Sequence, residues 1–255
     1  MNILKTKGIV LKGQNFRDSS LILTLCTQKF GKLKLLAKGI KSPKSRMGGN
    51  LQQFSVVEVV FYKKENSELH LLSQVELLDP QEEIYNNLTK FSHASAILEL
   101  VDRLTVEEES QPGLFSLVSE TLHQFQKISE EKLPILTWSF ALRLAANLGY
   151  SPNLSGCTIC GRKDLNGQFI LFSVEQGGLV CRNCSNPGSY YLKLSKESWQ
   201  KMKQMLASPG AEVEKFEVSS QQLQEISEII LSVLEYHAHT QKNLRSLEFL
   251  EKLKV

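Results

Sequence analysis

Over the first 78 positions, apolar residues fall in short runs of β-forming residues bounded by turn formers. KGIVLKG (7–13) is an apolar run flanked by glycines. SSLILTLCTQ (19–28) is rich in strand-forming residues, and KFG after it supplies a turn. KLKLLAKG (32–39), FSVVEVVFYKK (54–64) and ELHLLSQVELL (68–78) read as three further strands. The glycines, Pro43 and Asn66 stand between these runs, where turn chemistry belongs. Five short strands with no early helix predict a small barrel. The OB-fold is the commonest five-stranded form, and an SH3-like barrel fits the same pattern.

The period changes at Asp79-Pro80, after which apolar residues recur every three and four positions. Ala94, Ile97, Leu98, Val101 and Leu104 form one stripe. Leu114, Leu117, Val118, Thr121, Leu122 and Phe125 form a second. Pro134 marks a helix start, Leu136, Phe140, Leu144 and Leu148 follow, and Gly149 closes the segment. Ser195–Leu206 reads as a helix. The longest run goes from about Ser220 towards Leu253, with a break near Asn243, and its stripe is Leu223, Ile226, Ile230, Val233 and Leu234. These stripes predict a helical bundle in which they form the core.

Between the third helix and Ser195 the helical period is interrupted by a glycine-rich stretch holding four of the five cysteines. They are arranged as Cys157-x2-Cys160 and Cys181-x2-Cys184, with 20 residues between the pairs. Each CxxC is a tight knuckle that aims two sulfurs at one point, and a hairpin between them joins the knuckles. This is the spacing of a four-cysteine zinc ribbon. Phe169, Leu171 and Ser173 alternate as a strand does, Gly177-Gly178 suits the turn, and Gly161 suits a knuckle that needs positive φ. Four thiolates around Zn²⁺ leave a charge of −2, which Arg162, Lys163 and Arg182 offset. Such a site has no open position for water, so one Zn²⁺ here is structural. Four reduced thiols or a redox pair are the alternative. Cys26, on an apolar strand, reads as a buried small hydrophobe. The predicted architecture is therefore a multidomain α+β chain. It has an OB-fold barrel at 1–79 and an α-helical domain at 80–255, with a zinc ribbon inserted at 154–191.

Charge sharpens the picture. Residues 1–78 carry 13 Lys and Arg against 5 Asp and Glu, a net of +8, whereas residues 79–255 carry 17 against 22, a net of −5. No acidic residue stands between Asp18 and Glu58, an interval that holds Lys29, Lys32, Lys34, Lys38, Lys41, Lys44 and Arg46. On the third strand the period of two puts Lys32, Lys34 and Lys38 on one face and Leu33 and Leu35 on the other. The loop GIKSPKSRMGGN adds Lys41, Lys44 and Arg46, and Arg17 joins from the preceding turn. A one-signed face with a basic loop is how OB-folds hold single-stranded nucleic acid. Phe16, Phe30, Phe54, Phe61 and Tyr62 read as barrel core before they read as base-stacking platforms.

Other chemistry is missing. There is no P-loop, GxGxxG, HExxH or GxSxG, and no acid–base pair stands out, so an enzyme is not expected. His237 and His239 fall on different helix faces, and Glu107-Glu108-Glu109 reads as a solvated helix end. No apolar run approaches the ~20 residues of a membrane span, and the start has no apolar leader segment, so a cytoplasmic protein is expected. Five cysteines are too few for a disulfide scaffold.

FRDSSLILTLCTQKFGKLKLLAKGIKSPKSRMGGNLQQF resembles the amino-terminal region of the RecO family of bacterial DNA repair proteins. The likeness lies in the Ser-Ser before a hydrophobic strand, the Thr-x-x-x-Gly turn and the AKG ahead of a basic loop. It continues in the Gly-x-Leu-Gln-x-Phe that opens the next strand. LAANLGYSPNLSGCTICG and GGLVCRNC resemble that family's entry into its zinc ribbon. The resemblance implies an OB-fold, a helical domain and a zinc insert. It also implies binding of single- and double-stranded DNA, annealing of complementary strands, and work with RecR to load RecA onto DNA coated with single-strand-binding protein. The acidic tail of that coating protein would dock on the helical domain, where Arg143 beside Phe140 is a candidate. Carried over, the DNA contacts are Arg17, Lys32, Lys34, Lys38, Lys41, Lys44 and Arg46, and the protein works at the nucleoid. Two other readings stay open from the residues alone: an OB-fold and zinc-ribbon protein bound to RNA or the ribosome, and a scaffold that binds only proteins.

Overall fold

β1 (Asn2–Phe16) is long enough to serve two neighbours. The computed structural model describes residues 2–41, 51–65, 67–165, 169–208 and 210–238. The first half of β1, Asn2–Ile9, pairs antiparallel with β4 (Val56–Lys63). Its second half, Gly8–Phe16, pairs antiparallel with β2 (Ser20–Thr27). An irregularity between Val10 and Lys12 bends the strand between these two partners. β2 pairs antiparallel with β3 (Gly31–Ala37), β3 runs parallel to β5 (Leu69–Asp79), and β5 returns antiparallel to β4. The barrel closes in the order β1-β2-β3-β5-β4, which is OB-like.

Alternation fills the barrel. Val10, Leu23, Leu25, Leu33, Leu35, Val57, Val59 and Phe61 form its core, with Phe30 packed edge-on to Phe61 at 5.7 Å between ring centroids. Leu33 and Leu35 face inward as the period of two requires. Cys26 is buried, and burial pushes its thiol up to about 12. β1 begins at Asn2, ahead of the apolar run starting at Lys7, because its first residues are held by hydrogen bonds to β4 and not by burial. The Thr-x-x-x-Gly signature is a working turn. The Thr27 hydroxyl donates to the Gly31 carbonyl at 2.7 Å and accepts from the Phe30 N–H at 3.1 Å. Gly31 has φ +65°, and a Cβ there would lie 2.0 Å from the Glu109 carbonyl oxygen, so both conformation and space demand glycine.

The described residues form two compact units, divided between Lys127 and Ile128. The change from strand to helix falls where β5 ends, but three helices pack in the same unit as the barrel: α1 (Glu82–Tyr85), α2 (Leu88–Leu104) and α3 (Leu114–Lys127). α2 is capped by Asn87, whose side chain accepts from the Lys90 N–H at 2.9 Å. Its Ala94, Ile97, Leu98 and Val101 are buried, as are all six stripe residues of α3. Phe54 is wholly buried and meets Tyr85 and Phe91 edge-on at 5.4 and 5.2 Å.

The second unit contains α4 (Leu133–Asn147), α5 (Lys196–Ala207) and α6 (Ser220–Ala238). Pro134 lies in the first turn of α4, as the pattern predicts. Phe140 is 1% exposed and belongs to the core, which leaves Arg143 without an exposed aromatic neighbour at that position. A three-stranded sheet, β7-β6-β8, carries the cysteines: β6 (Phe169–Ser173), β7 (Gly178–Val180) and β8 (Leu192–Ser195). The pattern identifies the β6–β7 hairpin but not β8, which is four residues long and runs straight into α5. Ser195 caps α5, and Glu225 of α6 accepts from the Ser195 N–H and hydroxyl at 2.9 and 2.7 Å. Trp199 of α5 donates from its indole nitrogen to the Leu154 carbonyl at 2.8 Å, tying the ribbon to the helix. No helix among the described residues is long and apolar enough to cross a membrane.

Candidate functional site

The two CxxC knuckles converge. The Sγ atoms of Cys157, Cys160, Cys181 and Cys184 all lie within 4.8 Å of one another, and Cys160 and Cys181 are 3.7 Å apart. Ligands at about 2.3 Å from a tetrahedral ion stand about 3.8 Å apart, so the sulfurs are already spaced to hold one metal ion. The knuckles are built from backbone. The Cys157 N–H donates to the Arg162 carbonyl at 2.8 Å, and the Gly161 N–H donates to the Cys157 carbonyl at 2.9 Å, with Gly161 at φ +74°. In the second knuckle the Cys184 and Ser185 N–H groups both donate to the Cys181 carbonyl at 3.0 Å. Thr158 donates its N–H to Leu179 of β7 at 2.8 Å, which brings one knuckle to the other.

The Cys181 N–H points at the Cys157 sulfur at 3.4 Å. Burial raises the Cys157 thiol, but the N–H groups of Cys181, Cys160 and Ile159 outweigh it and bring it down to about 6. A thiolate is thus favoured at Cys157, whereas the Cys181 and Cys160 sulfurs push the Cys184 thiol up to about 12. Four sulfurs complete a tetrahedral shell, so an ion held here has no vacancy for water or substrate.

The cations of the barrel divide into two groups. Arg17, Lys38 and Lys41 are exposed. The Lys41 N–H donates to the Ser19 carbonyl at 3.1 Å, and the Lys41 ammonium reaches the Asn15 side-chain oxygen. These contacts bring the start of the β3–β4 connection to the β1–β2 turn that carries Arg17. Arg17 lies over the Phe16 ring at 5.4 Å and has φ +55°. Lys38 pairs with no carboxylate among the described residues. Lys44 and Arg46 lie outside the described residues.

Lys32 and Lys34 are placed differently from the expectation of a free cationic face. Lys32 is buried, and its ammonium donates to the Asp102 carbonyl at 2.6 Å and stands 3.8 Å from the Asp102 carboxylate. Burial pushes its ammonium below the usual lysine range, against the pull of Asp102 and Glu107. Lys34 pairs with Glu107, whose hydrogen bond holds the ammonium above that range. Both lysines alternate on β3 as predicted, but the face they share turns toward the end of α2 and the segment after it.

That segment revises the reading of Glu107-Glu108-Glu109 as a solvated helix end. α2 stops at Leu104, and the chain then lies along the barrel. Glu107 bridges to Lys32 in parallel, and the Glu108 N–H donates to the Lys32 carbonyl at 2.9 Å. Glu108 binds the Lys63 ammonium at 2.6 Å and the buried His70 Nε2 at 3.0 Å. His70 Nδ1 accepts from the Lys64 N–H at 3.3 Å, so Nε2 carries the proton donated to Glu108. Lys12 pairs with Asp102 at 2.5 Å. These partners are 38 to 90 residues apart in the chain. The only sequence signal for them is the acidic triplet itself.

The family profile described as "Recombination protein O N terminal" matches residues 1–81, and "Recombination protein O C terminal" matches residues 85–248. The DNA repair protein RecO of Desulforamulus reducens is 30% identical over 253 residues, covering 99% of this chain and 96% of the relative. That of Alkaliphilus metalliredigens is 29% identical over 254 residues, covering 98% and 100%. That of Caldanaerobacter subterraneus is 30% identical over 253 residues, covering 99% of each. With an OB-like barrel, a helical region and a four-cysteine cluster in the matching order, the chain belongs to the RecO family of DNA repair proteins.

Proposed function

We propose that this protein is a DNA-binding recombination mediator. It anneals complementary single strands and, with RecR, helps load RecA onto DNA coated with single-strand-binding protein. The observation that carries this reading is the meeting of Arg17, Lys38 and Lys41 on one end of the barrel, where the contacts of Lys41 bring two turns together. Lys44 and Arg46 follow Lys41 in the sequence and add two further cations to the same connection. The barrel (1–79) serves as the DNA-binding domain and the helical domain (80–255) as the platform for protein partners, including the acidic tail of single-strand-binding protein. The ribbon (154–191) holds one structural Zn²⁺ on Cys157, Cys160, Cys181 and Cys184. Four soft sulfur donors, all within 4.8 Å of one another, suit that ion.

Annealing of this kind is physical. Cations neutralise two phosphate backbones and lower their repulsion, so complementary bases meet. The chain acts by binding, with no covalent step and no nucleotide hydrolysis, on single- and double-stranded DNA in the cytoplasm at the nucleoid. The test is annealing of complementary strands coated with single-strand-binding protein. Wild type accelerates the reaction, and Lys38→Glu with Lys41→Glu and Lys44→Glu loses the acceleration while keeping the fold. Equal annealing by the triple variant overturns the proposal.

A further inference from the structure

β3 is paired to β5 only from Lys34 to Leu36, so the seam between them is open beside Gly31–Leu33. The acidic strap after α2 fills that opening. Asp102, in the last turn of α2, faces Lys12 and Lys32, and Glu107 and Glu108 of the strap face Lys34 and Lys63. Lys32 and Lys34 lie on β3, Lys12 on β1 and Lys63 at the end of β4, and the chain's own carboxylates neutralise all four.

The strap is held under strain. Glu108 adopts φ +58°, a left-handed conformation disfavoured for a glutamate. Glu107 Oε2 is buried with no hydrogen-bond partner among the described residues. The Glu108 N–H bond to the Lys32 carbonyl and the bond to buried His70 anchor the strap, and two ion pairs add to them. In those pairs the Lys34 and Lys63 side chains are 37% and 42% exposed against 19% and 29% for their carboxylates, so salt weakens them from the lysine side. A phosphate oxygen makes the same charge-assisted hydrogen bond to an ammonium as a carboxylate does. An incoming polyanion can therefore exchange with the strap at the two exposed lysines, while buried Lys32 stays committed to Asp102.

We infer that the β3–β5 seam is a second phosphate-backbone site, with Lys34 and Lys63 as its contacts, which the Glu107–Glu108 strap occupies as an internal polyanion until DNA displaces it. This rests on the proposed DNA binding and adds a site to it. Lys34 is four residues from Lys38, roughly 13 Å along an extended chain, so one oligonucleotide can span both. DNA held at the exposed end of the barrel is thereby delivered to the seam, and the seam contributes only after the strap has left.

The experiment uses the full chain and a fluorescent single-stranded oligonucleotide titrated across a salt series. Glu107→Gln with Glu108→Gln binds roughly three- to tenfold tighter than wild type at low salt. Its log–log salt dependence steepens by about 1.4, for two cations released to phosphate on a single strand. Glu82→Gln with Glu83→Gln removes the same charge from α1 and controls for net charge. Adding Lys34→Gln and Lys63→Gln to the strap variant abolishes the gain. In wild type, saturating oligonucleotide accelerates hydrogen exchange at the Glu108 amide, the group bound to the Lys32 carbonyl. Failure of wild type to bind the oligonucleotide defeats the DNA-binding proposal itself. Wild-type binding with an equal gain in the α1 control, or with an unchanged Glu108 amide, overturns the seam site alone.

Discussion

Gly31→Ala is the sharpest probe of the strap, because the new methyl strikes backbone and not a side chain that can swing away. A Cβ at Gly31 lies 2.0 Å from the Glu109 carbonyl oxygen, well inside van der Waals contact, and the residue must also hold φ +65°. The left-handed conformation costs alanine about 1–2 kcal/mol. Moving the strap far enough to clear the methyl breaks the bond from the Glu108 N–H to the Lys32 carbonyl, about 1 kcal/mol. It also releases the Lys34–Glu107 and Lys63–Glu108 pairs, about 0.5 kcal/mol each at their exposure. The variant should therefore lose about 3–4 kcal/mol, with the loss confined to the unit that contains the barrel. Native-state hydrogen exchange reads this directly, since amides of β2 and β3 report the opening of the barrel separately from α4–α6. A Gly31→Ala protein whose β3 and Glu108 amides exchange as in wild type would refute the packing argument.

Three further outcomes are expected. Chelation removes one metal ion per chain and strips exchange protection from β6 and β7 while leaving the barrel amides protected; elemental analysis finding no metal in a fully protected ribbon contradicts the reading of the cysteines. The carboxyl of Glu108 lies below the usual range, chiefly through its hydrogen bond from Lys63. Its contribution is therefore fully present above the ordinary glutamate value of about 4.3 and is lost as pH falls through the lower folded value. Barrel stability should drop across that acid window in wild type, and less so in Glu108→Gln, as measured by exchange or urea unfolding against pH. Lys38→Glu with Lys41→Glu weakens oligonucleotide binding and flattens the salt dependence by about 0.7 for each phosphate that is no longer neutralised, measured by fluorescence titration.

The elements set by local repetition are legible in the sequence. The strand runs, the α2 and α3 stripes, the proline at the start of α4 and the cysteine spacing each concern residues within a few positions of one another. Hydrophobic periodicity and backbone geometry act at that range. The same holds for Thr27 and Gly31, which make one turn, and for the inward Leu33 and Leu35. β8 is not legible because a four-residue strand offers too few alternations to stand out, and it exists through its pairing with β6.

The fate of the charges is another matter. Lys32, Lys34 and Lys38 look equivalent along the chain, yet the first is buried on Asp102, the second is paired with Glu107 and the third stands in solvent. The same is true of the acidic triplet, which reads as a solvated helix end and proves to be a strap on the barrel. Periodicity establishes which face of a strand a lysine occupies, and composition establishes that a region is basic. Neither says what covers the face, because the covering carboxylates arrive from about seventy residues away through the packing of α2 beside β1. Coulomb interactions depend on distance in space and on the removal of water, so which cations remain free for a phosphate was settled when the helices docked, not when the strands were written.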